Sequence, residues 1–112
     1  MKIKQIMGPL WSLIFLAACN AEKTSEKPLS ELALKGRNSF MANCTACHNI
    51  NPKLDGSVGP AIYGSSYELI LARVTKAEYP QGYKPKRSSK LMPAMPHLVG
   101  DVKALDAFLN DK

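Results

Sequence analysis

The residues best suited to chemistry lie in one short stretch, Cys44-Thr45-Ala46-Cys47-His48. Two thiols followed at once by an imidazole could form a redox pair, join a metal site or carry a covalently attached cofactor. A dithiol redox motif wants a βαβ context, and structural zinc wants a fourth soft ligand at a familiar spacing. Neither is visible, because the other histidine, His97, lies 49 residues beyond His48. The C-x-x-C-H pattern instead matches c-type haem attachment. Thiols so spaced can add to the two vinyl groups on one porphyrin edge while the adjacent imidazole reaches the iron as an axial ligand.

The elements that must position this stretch read as helices. Upstream, Leu29, Leu32, Ala33, Gly36 and Phe40 recur at helical spacing on one face, and this helix runs directly into Cys44. Gly36 in its middle costs about 1 kcal/mol against Ala unless another backbone packs very close. Downstream, Val58-Gly59-Pro60-Ala61-Ile62-Tyr63-Gly64 signals a turn. A second helix is expected over 66–78, with Leu69, Ile70 and Val74 on its faces and Arg73 and Ala77 beside them. Residues 79–87 are loop by their Pro and Gly content. A last helix is expected over 101–109, with Val102, Leu105, Phe108 and Leu109 on one stripe and Asp101 favourable at its N-terminus. No strand is clearly signalled, so the fold class is all-α.

The whole chain has 112 residues, which allows one small domain and excludes doubly wound nucleotide-binding sheets and (β/α)8 barrels. Residues 1–18 read as an export signal: Lys2 and Lys4 precede an apolar run of 13 residues, short of the roughly 20 that span a bilayer. The run ends Leu16-Ala17-Ala18-Cys19, which resembles the lipobox of bacterial lipoproteins and would make Cys19 the lipidated N-terminus; ordinary cleavage after Ala21 is the alternative. Asn20 after the cysteine favours, by that resemblance, an outer-membrane anchor facing the periplasm. Residues 19–30 have little to bury and form a tether, leaving 31–112 as the folded domain. Without the signal the chain keeps 13 basic and 9 acidic residues, formally +4. Much of the excess lies in 73–90, and export makes nucleic acid an improbable partner for it.

Gly36, Phe40 and Cys44 at intervals of four, the C-x-x-C-H motif and the later Gly59-Pro60 turn together resemble the class I c-type cytochromes, small monohaem electron carriers. The resemblance covers nearly all of 31–112. It implies a cytochrome c-like fold of about three to four helices around one haem c, attached through Cys44 and Cys47 with His48 as proximal ligand. It also implies that Gly36 is crossed closely by the last helix at Leu105 and Phe108. Pro60 would offer its carbonyl to the free ring N–H of His48, which fixes the tautomer and raises ligand basicity. An ordinary turn would use Gly-Pro as well.

The sixth iron ligand has three candidates in Leu91-Met92-Pro93-Ala94-Met95-Pro96-His97. Met92-Pro93 resembles the family's ligand loop, and separations of 13 and 16 residues to Leu105 and Phe108 resemble those of small bacterial members; Met95 would shorten both by three. Thioether ligation stabilises ferrous iron, whereas His97 would lower the potential. Pro93 and Pro96 stiffen the segment. Tyr63, Tyr67, Tyr79 and Tyr83 are candidates to bond a haem propionate. The basic loop 84–90 can neutralise propionates or steer an acidic redox partner.

The resulting expectation is a monomeric electron carrier, not an enzyme, held by a lipid anchor at the cell envelope. A small haem subunit of a sulfur-oxidising or oxidase complex is the alternative. A gas-binding sensor would need an open sixth position, against which Met92 argues.

Overall fold

The computed structural model describes residues 26–112, so the expected export signal over 1–18 and the candidate lipidation site Cys19 lie outside the described residues. Among the described residues there are three α-helices, α1 (Glu31–Asn43), α2 (Tyr67–Lys76) and α3 (Val102–Leu109), a 3₁₀ turn (Pro96–Asp101) leading into α3, and no strand. None of these helices is long and apolar enough to cross a membrane.

α1 and α2 start where the sequence supplies caps. Ser30 accepts the Ala33 N–H at 3.1 Å, with Glu31 in the first turn of α1. Ser66 accepts the Leu69 N–H at 3.2 Å at the start of α2, with Glu68 in its first turn and Arg73 and Lys76 in its last. Each cap satisfies a backbone donor that the helix itself leaves without a partner. The charges suit the helix dipole of α2 at both ends.

α2 is shorter than the span 66–78. It stops at Lys76 because Ala77 turns into the left-handed region at φ 55°. Its N–H bonds the Arg73 carbonyl at 3.2 Å, the Glu78 N–H reaches the Ala72 carbonyl at 3.2 Å, and the Arg73 guanidinium bonds the Ala77 carbonyl at 2.6 Å. Together they close the helix end in a residue type that pays for φ > 0.

α1 and α3 pack together most closely. A Cβ on Gly36 would sit 1.9 Å from the Ala104 carbonyl oxygen, so only glycine admits this backbone approach. Ala33 and Phe40 are fully buried beside it, and the Phe40 and Phe108 rings meet at 5.4 Å. The expected stripe is corrected at its N-terminal end: Leu32 is 42% exposed and Leu29 precedes the helix, while Ser39 is buried in their place. Leu32 lies one turn before the crossing, beyond the cover α3 provides.

Asp101 stands at the N-terminus of α3 as expected. It makes no side-chain cap on α3, because the chain enters that helix from a 3₁₀ turn. Its carboxylate instead accepts the Ser39 hydroxyl at 2.9 Å, satisfying the one buried polar side chain of the described core.

Phe40, Ile70, Val74, Leu98, Val102, Leu105 and Leu109 form the core, drawn from all three helices and the 3₁₀ turn. Burying each such side chain contributes about 1.5–3 kcal/mol. The end of α3 is sewn to the segment before α2: Gly64 N–H to Leu109 carbonyl at 2.8 Å, Tyr63 hydroxyl to Asp111 carbonyl at 2.6 Å, and Asn110 amide to Ser65 carbonyl at 2.8 Å.

Candidate functional site

A cavity of about 290 Å³ opens between the helices and the loops that join them. Its walls are largely apolar, with Phe40, Ile70, Val74, Leu105 and Leu109 presenting core surface to it. Cys44, Cys47, His48, Pro60, Met92 and Met95 all line this one space.

The cysteine–histidine stretch continues α1 as a turn. Cys44 caps the helix through its N–H to the Phe40 carbonyl at 2.9 Å, and its own carbonyl accepts from Cys47 at 3.3 Å and His48 at 2.9 Å. Both thiols are free, and burial pushes the Cys44 thiol up to about 11. Among the described residues no cluster of three or more His, Cys, Asp or Glu could hold a metal ion, so Cys44, Cys47 and His48 do not converge as zinc ligands would.

His48 is held from two directions. Its Nδ1 lies 2.9 Å from the Pro60 carbonyl oxygen, twelve residues on. A carbonyl only accepts, so Nδ1 carries a proton and donates it, which in the neutral ring leaves the lone pair on Nε2. The flat of the ring lies against Gly59, where a Cβ would come within 2.4–2.9 Å of Cε1, Nδ1 and Nε2. The turn itself is anchored by the N–H groups of Val58 and Gly59, which donate to the Cys47 carbonyl at 3.2 and 2.9 Å.

The methionines arrive from the segment before the 3₁₀ turn. Met92 and Met95 are both half-buried against the core, and the Met95 N–H is tied to the Val74 carbonyl of α2 at 2.6 Å. His97 is exposed and does not line the cavity.

Three cations reach the cavity wall, Arg73, Lys86 and Arg87, and no carboxylate does. Arg73 lies over the Tyr79 ring at 4.1 Å, and Tyr79 stacks on Tyr83 at 5.5 Å. Of the four tyrosines, Tyr79 and Tyr83 line the cavity; the Tyr63 hydroxyl is engaged with Asp111, and Tyr67 is exposed on α2.

Two features here escaped sequence reasoning. Gly59 reads there only as half of a turn, although a glycine directly before the residue whose carbonyl is to bond a ring is a signal of close approach. Lys86 and Arg87 read only as members of a basic loop. In the structure Lys86 donates to the Ala61 carbonyl at 2.8 Å, and Arg87 donates to the Val58 carbonyl at 2.8 Å and approaches Asp55 at 3.8 Å.

Chemically, the cavity suits a largely apolar ligand with anionic groups, and presents to it two thiols, an imidazole and two thioether sulfurs. The chain matches no family model, no curated protein and no solved structure.

Proposed function

We propose that the protein is a monohaem c-type cytochrome of the class I kind that carries single electrons between redox proteins. What carries this proposal is the convergence of Cys44, Cys47, His48 and two methionines on one apolar cavity that also admits cations and no acids. The donor set fits haem c better than a bare metal ion, because the thiols and the imidazole form no shared metal cluster.

Bound haem supplies a reversible one-electron change between ferric and ferrous iron. The chain's own residues do the rest. Cys44 and Cys47, both free thiols at the cavity wall, would hold the group covalently through two thioether links. His48 would offer Nε2 to the iron, and the Pro60 carbonyl at 2.9 Å from Nδ1 would hold the tautomer and strengthen that donor. Met92 would supply the thioether ligand, its backbone restrained by Pro93 after it and by the Met95 tether to α2. The apolar core walls would shield the group from water, and Arg73, Lys86 and Arg87 would offset its anionic substituents at the cavity wall. No protein base is required. With Cys19 lipidated, the carrier would work tethered at the periplasmic face of a bacterial membrane, the outer one favoured where there are two.

The test is optical: spectra of the haem-matured protein oxidised, reduced, and reduced under carbon monoxide. A low-spin His/Met spectrum unmoved by carbon monoxide is expected. A high-spin or carbon-monoxide-binding spectrum would overturn the carrier assignment in favour of an open iron site.

A further inference from the structure

The turn 56–61 that carries Pro60 is held from both sides. On its N–H side, Val58 and Gly59 donate to the Cys47 carbonyl. On its carbonyl side, four oxygens have partners besides Pro60's own bond to His48. Gly59 O accepts from Gly56 N at 2.9 Å, Val58 O accepts from Arg87 Nη1 at 2.8 Å, Ala61 O accepts from Lys86 Nζ at 2.8 Å, and Gly56 O receives both Arg87 terminal nitrogens at 3.4–3.5 Å. The contacts from Lys86 and Arg87 span 25–31 positions of sequence.

Resting on the haem assignment above, we infer that Arg87, with Lys86, is a positioning residue for the axial imidazole: the two cations clamp the turn so that the Pro60 carbonyl stays against His48 Nδ1. The Arg87 side chain is 33% exposed, so its bonds are shielded from much of the competition by water. Its planar fork can engage two carbonyls at once, which a lysine ammonium on one flexible stem does less well. Because the imidazole ring lies directly on Gly59, a shift of the turn by a few tenths of an ångström displaces the ring and bends the Nδ1–H bond. That bond raises the basicity of Nε2, which favours ferric iron. Arg87 therefore acts on the iron through the turn, in addition to acting as a charge.

The two actions have opposite signs. Loosening the clamp weakens the donor and raises the midpoint potential. Deleting a nearby positive charge favours ferric iron and lowers it. Arg87→Lys keeps the charge and removes the fork, so it isolates the clamp.

The experiment uses the haem-matured full chain, with haem content and His/Met spectrum recorded first. In Arg87→Lys, solvent exchange of the His48 Nδ1 proton in the ferrous protein, followed by NMR, should accelerate by about tenfold or more, the equivalent of one lost charge-assisted hydrogen bond. The midpoint potential should rise. Lys86→Gln, at an exposed side chain that the fold tolerates, should also speed the exchange, and it carries the same test if Arg87→Lys fails to accumulate. Lys90→Gln, exposed in the same loop, should leave exchange unchanged. Unaltered exchange in a haem-loaded Arg87→Lys, or equal acceleration in Lys90→Gln, overturns the clamp alone. A chain that matures without haem overturns the haem assignment, and the clamp with it.

Discussion

His48 is defined as much by its neighbours as by its own chemistry. The Pro60 carbonyl sets which nitrogen carries the proton, and Gly59 leaves room for the ring. At the proposed sixth position two thioethers line the same cavity, and the difference between them is in how each is tethered. The Met95 backbone is bonded to α2 and opens the 3₁₀ turn, whereas Met92 stands ahead of Pro93 in the free run of the segment. Met92→Ala should abolish the low-spin His/Met signature and admit carbon monoxide to the reduced protein, while Met95→Ala leaves both unchanged. The reverse pattern, read from the same optical spectra, would reassign the ligand to Met95. At this scale Cys44, Cys47 and His48 were legible in the sequence because their chemistry is carried by neighbours in one turn. The roles of Gly59 and Arg87 were not, because their partners are brought to them by the fold.

Among the helices, the tightest constraint is the contact of Gly36 with the Ala104 carbonyl. A methyl group at Gly36 has no flexible neighbour to displace, since the atoms it meets within 3.0 Å are backbone. Gly36→Ala should therefore cost about 3 kcal/mol or more, measured as a fall in the urea midpoint of the haem-loaded protein. The opposite change is expected at the end of α2. Ala77 holds φ 55° with no glycine's freedom, so Ala77→Gly should raise stability by about 0.5–1 kcal/mol in the same assay. The helix starts at Ser30 and Ser66 were legible, since a cap is a local pairing of hydroxyl and backbone N–H. The end of α2 was not: the apolar periodicity reaches Ala77, but the backbone turns there and no glycine marks it.

Among the described residues, four basic side chains share the loop 84–90. Lys86 and Arg87 are bonded to the turn that carries Pro60, while Lys84 and Lys90 remain exposed. If these charges steer an acidic redox partner, the bimolecular electron-transfer rate should fall as salt is raised, because ions screen exposed charges within about 10 Å at 0.1 M ionic strength. A flat dependence of stopped-flow rate on ionic strength would remove steering from the account. Exposed Leu91, Ile50 and Leu54 add apolar surface to the same set of loops.

By itself the sequence determined what depends on neighbours along the chain: the thiol and imidazole spacing, the capped starts of α1 and α2, the Gly-Pro turn and the absence of strand patterning. It also singled out Gly36, since a glycine inside a helical stripe asks for a close backbone. Only the tertiary structure decided which loops meet. The clamp of Lys86 and Arg87 on residues 56–61, the Ser39–Asp101 bond and the exclusion of His97 from the cavity join residues 25 to 62 positions apart or depend on such packing. No periodicity encodes those pairings, because the hydrogen bonds that make them are available to any cation or hydroxyl that the packed helices happen to bring within reach.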